Sequence, residues 1–122
     1  MGISMVAPDG RRLQVNVWNW GVLHHLVDQA ELFSPEVWVG ARWGTSWLEA
    51  PDVATLADFL SRQVLPRLRP GERMYFDGQT TDVPDDGTLY RDDLGKNYSL
   101  SREILAEIIT FLEQAGGRVE LL

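Results

Sequence analysis

The chain has 122 residues, no cysteine and a formal net charge of −7 at pH 7. This length predicts one domain, residues 1–122, around a single core, and the lack of cysteine excludes disulfides, thiolate chemistry and zinc–thiolate sites. The acidic balance argues against nucleic acid as a partner, because protein contacts to the phosphate backbone depend on Lys and Arg.

The sequence predicts a cytoplasmic protein without membrane contact. Its apolar stretches are shorter than the roughly 18 residues that a membrane-spanning helix needs. The first residues lack the basic and apolar regions of a signal peptide, and a cysteine-free chain fits a reducing compartment.

The first elements in the chain are a predicted hairpin and a long helix. Residues 3–8 and 11–17 read as two strands joined by the turn Pro8-Asp9-Gly10. Apolar residues at helical spacing then predict an amphipathic helix from Trp20 to Phe33, capped by Asn16 or Asn19.

Both histidines lie in this helix. His24 has Asp28 one turn later, a spacing that would allow a carboxylate to orient an imidazole. His24, Asp28 and Glu31 nevertheless share the polar side of the helix, so a solvated helix face is the favoured interpretation. A catalytic, metal-binding or partner-binding role is the alternative.

Trp38, Trp43 and Trp47 lie within ten residues of one another, on a Gly-rich segment that follows a short helical turn at Ser34-Pro35-Glu36. We expect irregular structure there, up to Ala50. Aromatic side chains on a loop anchor partners or line a groove, or they fold over the first helix as a lid. Burial is the favoured interpretation.

A second long helix is expected from Pro51 to Pro66, where the proline ends or kinks it. Short strands are predicted at residues 73–76, 79–83 and 88–90. A final helix is expected to begin near Ser99 or Ser101 and to end at Gly116-Gly117, before a last strand over residues 118–122.

The negative charge is concentrated between Glu72 and Asp93, where seven acids and two arginines give −5. We call residues 72–93 the acidic segment. Such a surface attracts a basic protein partner, but it also serves to keep a small protein soluble.

Part of the acidic segment resembles a calcium-binding loop. Asp82, Asp86 and Asp93 match positions one, five and twelve of an EF-hand, and Gly87 matches position six. Pro84 stands where position three needs a ligand, and no helix is predicted before the loop. An acidic turn cluster without metal is therefore the expected structure.

Motifs for other chemistry are missing. The sequence has neither a G-x-x-x-x-G-K-[ST] phosphate loop nor a G-x-G-x-x-G dinucleotide fingerprint. A G-x-S-x-G nucleophile motif is also missing. We therefore expect no cofactor, no metal and no catalytic residue.

Three features of the sequence occur together. Asn16, Trp18 and Trp20 form N-x-W-x-W before the first helix, D-V-A-T-L-A opens the second long helix, and F-L-E-Q-A-G-G closes the last one. In these features the chain resembles a group of small bacterial proteins without an established activity, which implies a bacterial cytosolic domain. In size, acidity and lack of a catalytic set it also resembles the immunity proteins of bacterial toxin systems.

The predicted fold class is α+β, with an antiparallel sheet of four or five short strands packed on one face by three helices, in the order ββα(α)αβββαβ. The leading function is a non-enzymatic, acidic protein-binding module that neutralises a basic partner. The alternative is a small-molecule binder or hydrolytic enzyme with a groove lined by Trp43 and Trp47 and with His24 or an acid as its polar group. A homodimer formed through the tryptophans is a third hypothesis. The predicted binding residues are Trp38, Trp43, Trp47, Asp85, Asp86, Asp92 and Asp93.

Overall fold

The computed structural model describes residues 2–44, 46–85, 87 and 89–122. It has the predicted α+β fold, and its strands form two antiparallel sheets, one of four strands and one of three. The strands are β1 (Gly2–Val6), β2 (Arg12–Asn16), β3 (Ser46–Leu48), β4 (Arg73–Met74), β5 (Thr80–Thr81), β6 (Leu100–Ser101) and β7 (Val119–Leu121). The helices are α1 (Val17–Gln29), α2 (Pro35–Trp38), α3 (Ala50–Phe59) and α4 (Arg102–Glu113).

The larger sheet has the strand order β2-β1-β7-β3. The predicted hairpin of β1 and β2 is confirmed, with Ile3 opposite Val15, and Gly10 takes a positive φ of 90° in its turn. Alternate residues of the sheet are buried against α1, α3 and α4, because side chains of a strand point to opposite faces in turn. These inward residues are Ile3, Met5, Val15, Leu48, Val119 and Leu121.

Helix α1 begins three residues before the predicted Trp20. Of the two predicted caps, Asn16 and Asn19, the N-cap is Asn16. Its side chain accepts a hydrogen bond from Asn19 N at 2.9 Å. The helix ends at Gln29 rather than Phe33, because Glu31 takes a left-handed φ of 52° and turns the chain away.

The segment before α3 is not wholly irregular, and that prediction was wrong. Residues Ser46–Leu48 form β3 and pair with β7, with Trp47 opposite Glu120. The strand depends on a partner more than 70 residues away in the chain, so local composition did not reveal it.

The second half of the chain builds the smaller sheet, in the order β5-β4-β6. Strands β4 and β5 confirm, in shortened form, the strands predicted at 73–76 and 79–83, and they pair with each other. The strand predicted at 88–90 is wrong for Leu89 and Tyr90, which lie in irregular structure, and Thr88 is outside the described residues. Helix α4 begins as predicted, because the Ser101 hydroxyl caps it by accepting from Ile104 N at 3.1 Å.

Candidate functional site

The three tryptophans of the 38–47 segment differ sharply in exposure. Trp38 is 2% exposed, whereas Trp43 is 70% and Trp47 is 53% exposed. The predicted burial is therefore correct for Trp38 and wrong for Trp43 and Trp47. Trp38, one of the predicted binding residues, has almost no surface exposed to a partner, because its indole belongs to the core and its Nε1 donates to His24 O at 2.9 Å.

His24 is not part of a solvated helix face, so the favoured interpretation of this residue was wrong. Its ring is half-buried and stacks on Trp38, with ring centroids 4.8 Å apart and planes 6° from parallel. Nε2 lies 2.7 Å from Trp38 O. Since a carbonyl only accepts, Nε2 carries the proton. Burial lowers the pKa of His24, and the hydrogen bond to the Trp38 carbonyl opposes this shift.

An arginine guanidinium lies over each of the exposed Trp43 and Trp47 rings. The guanidinium carbon of Arg42 is 4.6 Å from the Trp43 ring centroid, and that of Arg118 is 5.4 Å from the Trp47 ring centroid. Glu49 accepts from Trp47 Nε1 at 3.0 Å and pairs with Arg118 at 2.7 Å. Each of these exposed rings therefore lies against a guanidinium group.

The acidic segment exposes its carboxylates among apolar side chains. Asp82, Asp85, Asp92 and Asp93 are exposed, whereas Asp86 lies outside the described residues. Val83, Leu89 and Leu94, the last just beyond the segment, are each more than half exposed, and Tyr90 is 41% exposed. Large exposed apolar side chains grouped with charged ones are typical of protein interfaces.

The side chains of Arg73 and Asn97 bond to the backbone of this irregular stretch and hold it in place. Arg73, on β4, is 8% exposed; its Nε donates to Val83 O at 2.9 Å and its Nη1 donates to Ser99 Oγ at 3.2 Å. Asn97 accepts from Tyr90 N at 2.7 Å and donates to Tyr90 O at 3.1 Å. The chain is therefore fixed near both ends of the stretch between Val83 and Tyr90. Sequence reasoning missed Arg73 and Asn97, because their partners lie in irregular structure without a motif.

A cleft of about 640 Å³ opens beside these two anchors. Its walls include Tyr75, Phe76 and Tyr90 together with Asp77, Asp93 and Lys96. A cation lies over each tyrosine ring: Arg73 Cζ is 5.1 Å from the Tyr75 centroid, and Lys96 Nζ is 5.9 Å from the Tyr90 centroid. The cleft combines aromatic rings, which attract cations, with exposed carboxylates.

In the described ranges, no group of three His, Cys, Asp or Glu side chains is placed to hold a metal ion. Asp86, the fifth position of the calcium-loop hypothesis, is outside those ranges. No helix in this part of the chain is long and apolar enough to cross a membrane.

Comparisons with protein-family models, with curated proteins and with solved structures give no match for this chain. The resemblance to small bacterial proteins therefore stays a prediction.

Proposed function

We propose that the chain is a protein-binding module without enzymatic activity and that the acidic segment docks a basic protein partner. The observation that supports this most directly is the grouping of exposed Val83, Leu89 and Leu94 with exposed aspartates on a stretch of backbone anchored by Arg73 and Asn97. Apolar side chains at the centre of an interface contribute affinity, whereas charges at the rim guide association.

The charge of the partner follows from that of the module. Most of the net charge of −7 arises in the acidic segment, so a basic surface would be attracted and an acidic one repelled. Neutralising a basic toxin in the manner of an immunity protein fits these properties. We include a cytoplasmic location in the proposal, supported by the cysteine-free composition.

The test begins with capture of proteins from a lysate of the source organism by the immobilised full chain. A captured basic protein is then purified and titrated against a variant with Asp82, Asp85, Asp92 and Asp93 changed to Asn. Because four exposed charges are removed, we expect Kd to rise about tenfold or more at low salt. The difference should shrink as salt is added.

The matched control changes four exposed acids elsewhere to their amides, namely Asp28, Glu36, Glu107 and Glu113. Both variants have the same net charge, so only a local effect separates them. Equal Kd values for the two variants would contradict the proposal, and so would a captured partner that is acidic.

A second candidate function, the small-molecule binder or hydrolase, is supported by the exposure of Trp43 and Trp47. The acid beside Trp47 is Glu49, whereas His24 Nε2 is turned to the Trp38 carbonyl. A fragment library screened by NMR should then shift the indole N–H signals of Trp43 and Trp47. If bound fragments shift other signals only, this function is wrong.

A further inference from the structure

We propose that the cleft between Tyr75 and Tyr90 is the binding site for an arginine side chain of the basic partner. This inference rests on the proposed function and specifies the chemical group that the partner inserts.

The walls of the cleft are fixed before any partner binds. Asn97 bonds both the N–H and the C=O of Tyr90, and buried Arg73 holds the carbonyl of Val83. Both anchored residues line the cleft. A pre-formed site binds more tightly than a mobile loop, since less conformational freedom is lost on association.

The chemistry of the walls suits a guanidinium group. A guanidinium stacks flat on an aromatic ring while its N–H groups pair with a carboxylate. Tyr90 offers such a ring, and Asp77 and Asp93 offer exposed carboxylates in the same cleft. The volume of about 640 Å³ lies within the range of about 300–1,000 Å³ that is usual for ligand sites.

Lys96 supports this assignment because it already places a cation at the ring. Its Nζ is 5.9 Å from the Tyr90 centroid, close to the limit of about 6 Å for a cation–π contact. The contact is therefore weak and exposed to water, and an incoming guanidinium can displace it. Lys96 acts as an internal competitor for the site.

An anionic ligand fits this cleft less well. Arg73 is the buried cation of the walls, but its Nε and Nη1 already donate to Val83 O and Ser99 Oγ. An anion would also approach the carboxylates of Asp77 and Asp93, which repel it.

The test uses two short peptides, acetyl-Gly-Arg-Gly-amide and the same peptide with citrulline, which keeps the shape of arginine without its charge. Each is titrated into the full chain and followed through the backbone amide signals by NMR. We expect the arginine peptide to shift the amides of Thr81, Tyr90 and Asp93, with Kd on the order of millimolar. The citrulline peptide should leave them nearly unchanged.

Three variants test the individual contacts. Tyr90→Leu and Asp93→Asn should each raise the Kd of the arginine peptide about three- to tenfold. Lys96→Met should lower it about two- to threefold, because the competing cation is gone. Glu120→Gln, on the larger sheet, is the control and should leave Kd unchanged. Amide spectra with native dispersion confirm that each variant is folded.

Equal shifts from the two peptides would overturn the arginine site, and so would inorganic phosphate shifting the same amides in place of the arginine peptide. The arginine site and the proposed function can each be contradicted while the other stands. If the aspartate variant loses the partner while Tyr90→Leu and Lys96→Met change neither partner nor peptide binding, the arginine site is wrong and the protein-binding function stands. If the peptide binds as expected but the two charge-matched variants bind the partner equally, the proposed function is wrong instead.

Discussion

The imidazole of His24 couples the stability of the fold to pH. Burial lowers its pKa below the ordinary value of 6.5, so below that value the unfolded chain takes up a proton more readily than the native one. The stabilising contribution is present above about pH 6.5 and is lost as the pH falls toward the lowered pKa.

We therefore expect the wild type to lose more unfolding free energy than His24→Gln between pH 7 and pH 5. Glutamine retains an N–H donor for the Trp38 carbonyl but does not titrate in this range. Urea unfolding of both proteins at each pH gives the comparison, and their shared carboxylates cancel. Parallel pH profiles for the two proteins would show that His24 is not responsible.

The indoles of Trp38 and Trp43 differ in burial, so their removal should differ in its effect on stability. Removing the buried Trp38 side chain leaves a cavity and removes the Nε1 hydrogen bond to the His24 carbonyl, so Trp38→Ala should reduce the unfolding free energy by about 3–5 kcal/mol. Trp43→Ala removes an exposed ring over which Arg42 lies and should change it by about 0.5 kcal/mol or less. Chemical unfolding measures both, and similar losses would contradict the assigned burial.

Helix α1 approaches Tyr98, two residues before β6, at Gly21. A Cβ built on this residue would lie 2.9 Å from Tyr98 Cδ2. The Tyr98 ring has little room to yield, because Trp18 packs on it at 4.9 Å and Phe76 at 5.1 Å between centroids. Glycine in the middle of a helix is thus required by this close approach.

Gly21→Ala is expected to destabilise the protein despite the better helix propensity of alanine. The propensity gain is about 1 kcal/mol, whereas overpacking a filled contact costs about 1–3 kcal/mol. We expect a net loss of about 1 kcal/mol in urea unfolding. Gly21→Ala combined with Tyr98→Leu should be less destabilised than the sum of the two single variants, and strict additivity would count against the steric explanation.

Elements that depend on local rules were predictable from the sequence, and those that depend on distant partners were not. The hairpin of β1 and β2 has a Pro-Asp-Gly turn, and α4 has a Ser101 cap and a closing pair of glycines. Strand β3 is three residues long and exists because it pairs with β7, and β6 pairs with β4 in the same way. Local sequence patterns do not predict such pairings.

At the scale of the whole molecule, the candidate site also combines features that local sequence predicts with features that depend on distant residues. The position and charge of the acidic segment could be predicted, because both follow from counting neighbouring residues. The sequence did not reveal that Arg73 and Asn97 anchor the segment, nor which tryptophans are exposed. Exposure depends on what covers a side chain, and for Trp38 the cover includes His24 on another element.

The five tryptophans predict the response of the whole molecule to a small quencher. Trp20 and Trp38 are buried, whereas Trp18, Trp43 and Trp47 are exposed. Acrylamide should therefore quench the fluorescence in two classes, one accessible and one protected. Changing both Trp43 and Trp47 to Phe should remove most of the accessible class, and Trp20→Phe should leave that class intact.

The same measurement at two protein concentrations tests the homodimer hypothesis. Stable interfaces bury about 1,200–2,000 Å² in total, more than two indoles and their arginines supply, so we expect the accessible class to be the same at micromolar and at near-millimolar protein. If it becomes protected on concentration, and sedimentation shows the mass doubling, Trp43 and Trp47 face a second copy. The basic partner would then have to bind a dimer, at an acidic segment that the tryptophans leave free.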